Sequence, residues 1–491
     1  MSVLGMTLGG VATGQDTHPM PDDAGVEAEP LPSPPGEARQ GAESVGPTPG
    51  SQPVSLARAV AVALEHSFSL LSAGDSVASA RFREKAARAQ FFPQVTPSYQ
   101  GGPDESTFGL AASQRLPWSG GTVTAGTNLA SLSLDGASAV KSSDVRVVLT
   151  QPLLRGAGPN ATYYDLRNSR RALEAQERTY ELARQRLAVD VTATFFQVVR
   201  QRELLRVSRQ SLKRSDSLRD ASEARMKVGL ASKLDVFRAE LQSSQTQEAL
   251  VQSQAALESA LEQFRLLLGL DPADPVEPET SSLPDALDLA LEPVEVLIAR
   301  AVENRLELQE TRDQVRDAER AAALAKQNLL PQLDLNVGFT QTGLGPTYAD
   351  SLRAGTGRVN VYLSTSYSLE RSNDKSTAAI AELDLGTRRR SLAQRELEVA
   401  ADVRGAVRTL ERIRKSVELQ RKAVAFAEQQ VRLATLRYQR GLASNFDVVD
   451  AEGSLLSSRT ALVGLLTDFQ VSRVQLLRAE GTLSVEKEFA P

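Results

Sequence analysis

The chain contains no cysteine among its 491 residues. This excludes disulfides, iron–sulfur clusters, cysteine-rich zinc sites and a thiol nucleophile. Histidine is almost as scarce, since only His18 and His66 occur, and this removes most histidine metal sites and serine–histidine–aspartate catalysis. We predict that both histidines are structural or incidental, that the chain takes no cofactor, and that it is not an enzyme.

The chain also lacks a strong net charge and a long apolar run. Its formal charge is −5, with lysines and arginines scattered among the acidic residues, which argues against a nucleic-acid surface. No apolar run approaches the roughly 18–20 residues that a membrane-spanning helix needs. If the protein resides in a membrane, strands must span it.

What the sequence does contain is an internal repeat. Residues 225–240 read RMKVGLASKLDVFRAE and residues 437–452 read RYQRGLASNFDVVDAE, with nine identities in sixteen positions at an offset of 212. A second echo, at an offset of 238, pairs FPQV at 92–95 with LPQL at 330–333. A repeat of this size indicates a duplicated domain, because solenoid units span only about 20–50 residues.

The duplication divides the sequence into six segments. The first resembles the apolar end of a signal peptide without its basic start, with a disordered terminus as the alternative. The second is rich in proline, glycine and acidic residues, which is typical of a disordered leader. The predicted segments are 1–15 (signal-peptide remnant), 16–53 (disordered leader), 54–268 (first structural repeat), 269–293 (linker), 294–481 (second structural repeat) and 482–491 (tail).

Each repeat is predicted to contain one very long helix. Ser55 can cap the first helix of the chain. The proline-free stretch at 160–228 would form a rod of roughly 100 Å at 1.5 Å per residue. Such helices must pack their apolar stripes against one another. The predicted helices run from Ser55, from about 75 to 92, from 160 to 228 and on to Leu268 in the first repeat, and from 294 to 330, from 376 to 440 and on to Ala479 in the second.

Between the helices, the apolar period changes to that of a strand. Apolar and polar side chains alternate in 333–340 and 358–370, with weaker runs near 121–133 and 145–149. These runs suit membrane-spanning strands of about 9–11 residues, apolar toward lipid and polar toward a lumen. A half-buried antiparallel sheet of a soluble protein alternates in the same way, so both alternatives stay open at this point.

The membrane alternative has geometric requirements. If the chain enters and leaves the membrane on the same side, each repeat must contribute an even number of strands. The minimum is then two strands from each repeat. Four strands cannot enclose a lumen, because narrow barrels already have about eight, and open edges are not tolerated in lipid. Several chains would therefore share one barrel. Extra residues near 101–126 in the first repeat predict an added hairpin, inside or outside that barrel.

Together these motifs resemble the TolC-type outer membrane efflux proteins, from Ser55 to Leu483. The resemblance implies an α+β membrane protein with a long helical periplasmic tunnel and strands that contribute to a twelve-stranded barrel shared by a homotrimer. It implies passive export, with a periplasmic adaptor, an inner-membrane RND or ABC transporter and outer-membrane lipid as partners. The motifs are SLARAVAVALEHS at 55–67, the helix ends AARAQFFPQ and LAKQNLLPQLDL, LTQPLLRGAG at 149–158, and two GLAS turns each followed by D-V-x-x-A-E.

The resemblance places the two GLAS turns at the periplasmic entrance, where exposed leucines would dock the adaptor. A sharp turn between antiparallel helices favours glycine, which takes positive φ readily. Alternatively, the glycines and serines only end one helix and begin the next. The residues of these docking tips are Gly229, Leu230, Ser232, Gly441, Leu442 and Ser444.

The resemblance also implies an acidic periplasmic gate. Asp447 and Asp450 match aspartates that ring the closed entrance, and Asp235 matches an acid to which Tyr438 bonds in the closed state. Ala443 stands where the family prototype has an arginine, so a salt-bridge lock is absent or built differently. Helix capping alone would explain one aspartate in each repeat but not Asp450.

We therefore predict a trimeric outer-membrane export channel that binds no nucleic acid. The alternative from another class is a soluble coiled-coil scaffold or adaptor with a small β domain. A channel should fractionate with outer membranes and need detergent, whereas a scaffold should be soluble.

Overall fold

The computed structural model describes residues 53–102, 105–132, 139–279 and 291–489. The predicted signal-peptide remnant, His18, nearly all of the leader and the middle of the linker lie outside the described residues. The helices are α1 (Leu56–His66), α2 (Phe68–Ala89), α3 (Gly158–Thr162), α4 (Tyr164–Lys227), α5 (Lys233–Leu267), α6 (Val294–Asn304), α7 (Leu306–Gln327), α8 (Tyr348–Ala354), α9 (Ser372–Gln439), α10 (Asn445–Ala479) and α11 (Val485–Glu488). The strands are β1 (Pro53–Val54), β2 (Gln94–Gly101), β3 (Glu105–Arg115), β4 (Thr122–Leu132), β5 (Val140–Pro152), β6 (Glu277–Pro278), β7 (Gln332–Gly345) and β8 (Thr356–Ser366).

The helical framework is duplicated. Helices α1 and α2 have 11 and 22 residues, as do α6 and α7, and α5 and α10 each have 35. A single extended residue separates each short pair, Ser67 with φ −64° and ψ 120° and Arg305 with φ −64° and ψ 121°. The uninterrupted helix predicted at 294–330 is therefore wrong, and α2 begins earlier than the predicted position 75.

Two very long helices dominate the described residues. Helix α4 has 64 residues and α9 has 68, so each is about 100 Å long at 1.5 Å per residue. They confirm the predictions at 160–228 and 376–440. Among the described residues, no single helix has the length and hydropathy to cross a membrane, although the bent pair α1 and α2 meets that test by length and composition.

Two apolar clusters hold the helices together. The first joins α1, α4 and α5 around Val60, Phe195 and Phe264, with the two phenylalanine rings edge to face at 6.1 Å. The second joins α6, α9 and α10 through α9 side chains spaced three or four residues apart up to Val417, the stripe expected of a helix with one buried face. Val485, from the segment predicted as a tail, is buried in the first cluster.

The long strands form one antiparallel sheet in the order β2-β3-β4-β5-β7-β8. The first repeat contributes four of these strands and the second contributes two, so each repeat supplies an even number, as predicted. The hairpin predicted near 101–126 is part of this sheet. The described residues of each chain therefore bring six strands to this sheet, rather than the four that a twelve-stranded trimer requires. A separate parallel pair joins β1 to β6.

The chain order puts this sheet at one end of the long helices. Helices α2 and α7 lead into β2 and β7, while β5 and β8 lead into α3–α4 and α9. The turns that join α4 to α5 and α9 to α10 consequently lie at the opposite ends of α4 and α9, roughly 100 Å along the helices from the sheet.

Candidate functional site

The two turns remote from the sheet have the same backbone geometry. Gly229 and Gly441 both have φ of +74°. The amide of the next residue donates back to the carbonyl of Arg225 in the first turn, at 2.8 Å, and of Arg437 in the second, at 2.9 Å. This left-handed helix ending is typical of glycine, because other residues meet steric strain there. The GLAS motif thus encodes two equivalent tips.

Each tip exposes one large apolar side chain. Leu230 is 68% exposed and Leu442 is 70% exposed. Neither side chain is needed for the turn, which depends on the glycine and on backbone hydrogen bonds. Both leucines are therefore available for contact with another molecule.

A capping box restarts the helix after each turn. In the first tip, the Ser232 amide donates to Asp235 Oδ2 at 3.1 Å, and the Asp235 amide donates to Ser232 Oγ at 3.2 Å. In the second, the amide and hydroxyl of Ser444 donate to Asp447 Oδ2 at 2.8 and 2.9 Å. The hydroxyl bond and then the amide bond from Ser444 hold the pKa of Asp447 below its usual value. These serines and the first aspartate of each tip thus have a capping role.

Asp450 has no part in either cap. Like Asp447 it is exposed near the start of α10, and no side-chain hydrogen bond or ion pair within the described residues engages it. The described residues hold no group of three or more acidic or histidine side chains suited to a metal ion. The second tip of one chain therefore presents two exposed carboxylates, those of Asp447 and Asp450, but one chain does not assemble a ring of them.

Buried polar groups join the two tips. The Tyr438 hydroxyl lies 2.9 Å from Ser222 Oγ, and Asn445 Nδ2 donates to Ser222 Oγ at 3.0 Å and to the Asp235 carbonyl at 2.8 Å. Ser222 Oγ uses its single proton on the Leu218 carbonyl at 2.8 Å, so Tyr438 must be the donor in its own bond. We call Ser222, Arg225, Tyr438 and Asn445 the tip clasp.

Arg225 completes the tip clasp from α4. Its guanidinium lies 4.7 Å from the centre of the Tyr438 ring, within cation–π range, and its Nη1 donates to the Tyr438 carbonyl. The Tyr438–Asp235 side-chain bond implied by the resemblance is absent here, because the Asp235 carboxylate is used in its own cap. With Ala443 in place of an arginine, a mainly neutral network joins the tips. Asn445 Oδ1 and Arg225 Nε are buried in it without partners among the described residues.

Sequence reasoning found Tyr438 but missed the other three members of the tip clasp. Except for Arg225, which matches Arg437, the clasp members occupy positions at which the two repeats differ at the offset of 212, and this difference could have revealed Ser222 and Asn445. The differing pairs are Ser222 and Ala434, Met226 and Tyr438, and Lys233 and Asn445.

The sheet at the other end has one apolar face that continues across all six strands. The strand registers align side chains in rows. One row consists of Val95, Ala112, Ala125, Val147, Phe339 and Val359. The next, on the opposite face, consists of Thr96, Ala111, Gly126, Arg146, Thr340 and Arg358. This alternation is expected of a sheet that has one face in an apolar environment.

The model of the outer membrane efflux protein family matches residues 59–270 and 297–482, one match for each repeat. The chain belongs to the outer membrane efflux protein family. The duplication and the resemblance to TolC-type proteins are thereby confirmed, and members of this family are channel proteins rather than enzymes.

TtgC, a relative with a known role, is distant in sequence. The toluene efflux pump outer membrane protein TtgC of Pseudomonas putida is 25% identical over 302 residues, which is 60% of this chain and 60% of TtgC. The chain therefore spans about 60% of the length of the curated relatives it matches.

Solved structures share the fold over most of the chain. The outer membrane protein VceC of Vibrio cholerae gives a TM-score of 0.67 at 17% identity, covering 87% of this chain and 96% of VceC. The CmeC outer membrane channel of Campylobacter jejuni gives 0.65 at 14% identity, covering 89% and 87%. The predicted fold class, a helical tunnel protein with strands for a β-barrel, is confirmed.

Proposed function

We propose that this protein is the outer-membrane channel of a tripartite export system, for efflux or type I secretion. Three copies would form a passive conduit for substrates that an inner-membrane RND or ABC transporter delivers through a periplasmic adaptor. The observation that carries this proposal is the pairing of an amphipathic sheet, at one end of two helices about 100 Å long, with two matched tips at the other. TtgC, the outer membrane protein of a toluene efflux pump, gives the proposal a precedent.

In this proposal the sheet lies in the outer membrane and the helices extend into the periplasm. The apolar face of the sheet meets lipid, and the opposite face meets the lumen. Strands β3, β4 and β8 have 11 residues each, which at about 3.3 Å per residue and a tilt near 45° span roughly 25 Å, the height of the apolar band in outer-membrane barrels.

The tips then form the periplasmic entrance. Exposed Leu230 and Leu442 suit the apolar groove of a helical adaptor hairpin, while Gly229 and Gly441 keep each turn compact. Asp447 and Asp450 of three chains would bring six carboxylates to one opening. The tip clasp is the resting lock, and it contains only one charged side chain, that of Arg225.

Assembly is the direct test. Six strands do not close a barrel with a lumen, so we expect the protein to fractionate with outer membranes and to purify as a trimer that requires detergent. Sedimentation velocity with and without detergent measures the oligomeric state and the need for detergent. A monodisperse, detergent-free monomer would contradict the proposal and support the soluble coiled-coil scaffold.

A further inference from the structure

We infer that the membrane wall of this protein is an eighteen-stranded barrel, in which β8 of each chain pairs with β2 of the next copy. The inference rests on the proposed trimeric channel and deepens it. Its partner is a second copy of this chain, and its surface consists of the two outermost strands of the sheet. Both β3 and β4 belong to the wall rather than to a loop in the lumen or outside the membrane.

Strands β2, β3 and β4 are paired along their whole lengths. All eight residues of β2 pair with β3, and all eleven residues of β3 pair with β4. The turn between β3 and β4 is also fastened at the helical end of the sheet, where the Gly158 amide and Gln151 Nε2 donate to the Ser119 carbonyl at 3.2 and 3.0 Å. The added hairpin is therefore a continuous part of the sheet.

The side-chain pattern of the added hairpin is that of a wall strand. Phe108, Leu110 and Ala112 of β3 lie on the apolar face, in rows with Leu129, Thr127 and Ala125 of β4. A hairpin folded into an aqueous lumen would be wetted on both faces and would have no need for this alternation. Membrane-spanning strands require it, because one face meets lipid.

The two outermost strands are open for pairing. Every residue of β2 is exposed, and every residue of β8 but one. Neither has the charges with which soluble proteins protect a sheet edge, since β2 has no charged residue and β8 has only Arg358. Pro97 is the single residue of β2 without an amide donor, so a neighbouring strand loses at most one hydrogen bond. In lipid, such edges must be paired.

The strand directions allow a closed ring. Strand β2 begins at the helical end of the sheet and β8 finishes there, so β8 of one copy would run antiparallel to β2 of the next. With strands about 4.8 Å apart and tilted by about 40°, each strand occupies about 6.3 Å of circumference. Eighteen strands then give a diameter of about 36 Å, against about 24 Å for twelve, and an enclosed area about 2.3 times larger.

Cysteine cross-linking tests the pairing, because the natural chain has no cysteine. Val361→Cys in β8 would be combined in turn with Val95→Cys, Pro97→Cys and Tyr99→Cys in β2, all on the apolar face. The matched control combines Val361→Cys with Ala125→Cys in β4, which would be the outer strand if β2 and β3 lay outside the barrel. We expect oxidised outer membranes to yield covalent dimers and trimers from a β8–β2 pair and none from the control.

A strand count by electron cryomicroscopy of the detergent-solubilised trimer completes the test. Eighteen strands with a β8–β2 cross-link support the inference. Twelve strands, a β8–β4 cross-link, or a trimer that gives no β8–β2 cross-link overturns it and leaves the proposed channel intact. Absence of any trimer contradicts the proposed function itself, so the two failures are distinguishable.

Discussion

The hydroxyl oxygen of Tyr438 lies 2.9 Å from that of Ser222, a residue 216 positions earlier in the chain. This hydrogen bond joins α9 of the second repeat to α4 of the first, close to both GLAS turns. Both residues are buried, so water does not compete freely for the bond. If the tips separate when the channel opens, this bond must break.

Removing that bond should loosen the resting state. Tyr438→Phe deletes one bond between neutral groups, worth about 0.5–1.5 kcal/mol, so the open fraction should rise roughly 2–13-fold. Ser222→Ala also removes the acceptor of the Asn445 Nδ2 bond, so its effect should be at least as large. Conductance in planar bilayers measures it. The control is Ser217→Ala, since the Ser217 hydroxyl bonds to Lys213 of its own helix. Unchanged conductance in both clasp variants would rule out this bond as a lock.

The helices and tips could be read from the sequence because they depend on local signals. The helix that ends at Ala479 was placed correctly, and the two GLAS motifs marked both turns, since positive φ after a helix selects glycine. The break at Arg305 was missed, and the second helix of the first repeat was predicted to begin near 75 rather than directly after Ser67, because a single extended residue needs neither proline nor glycine. Ser67 and Arg305 lie equally far before the Pro-Gln pairs of FPQV and LPQL. This equal spacing indicates a break only when the two repeats are compared.

The tip clasp and the strand order could not be read in this way. Asn445 and Ser222 are 223 positions apart, and a buried hydroxyl or amide looks like any surface polar residue in a helical sequence. The added hairpin was visible as an excess of residues near 101–126. Its place between β2 and β5 depends on pairing partners that alternation alone does not name.

Asp313 should be the most sensitive charged position for stability. Its side chain is 2% exposed and forms ion pairs with Arg171, Arg178 and Arg316, so it ties α7 of the second repeat to α4 of the first. Asp313→Ala removes the shared partner of Arg171 and Arg178, which keep their pairs with Glu174 and Glu310, so we expect a loss of about 1–3 kcal/mol.

Denaturant unfolding in one detergent measures this loss. The control is Asp384→Ala, whose pair with Arg388 is about half exposed on α9 and should matter by less than about 1 kcal/mol. Equal unfolding midpoints for the two variants would mean that the Asp313 cluster does not hold the repeats together.

The tips should be needed for export and not for assembly. A Cβ atom at Gly441 would lie 3.6 Å from Arg225 Nη2, so Gly441→Val meets no severe clash, and its strain comes from the positive φ, about 1–2 kcal/mol or more for a β-branched residue. Leu442→Asp replaces the exposed apolar side chain of the second tip with a charged one. Each change should abolish export while leaving trimer yield intact.

Export activity and the yield of trimer, both measured for each variant, check the prediction for the tips. Leu433→Asp is the control, because Leu433 is also exposed on α9 but lies away from the turn. It should export normally. Normal export with Gly441→Val and Leu442→Asp combined would remove this tip from the adaptor interface.

The two aspartates near the start of α10 should make the entrance sensitive to cations. In a trimer, Asp447 and Asp450 would place six carboxylates around one opening, where repulsion between them and attraction for cations both follow from charge density. Divalent or trivalent cations added on the periplasmic side should block conductance, and Asp447→Ala with Asp450→Ala should relieve the block. Asp190→Ala, at an exposed position within α4, should leave it unchanged.

The pH dependence of this block follows from the Asp447 cap. Bonds from the Ser444 hydroxyl and amide hold the pKa of Asp447 below its usual value, so the charged form is favoured in the folded tip. As pH falls, this cap opposes protonation of Asp447, whereas repulsion from the neighbouring carboxylates of a trimer would favour it. Block should persist at about pH 5, and Ser444→Ala should shift its loss to higher pH. If the double alanine variant is blocked as tightly as the parent, these aspartates do not form the gate.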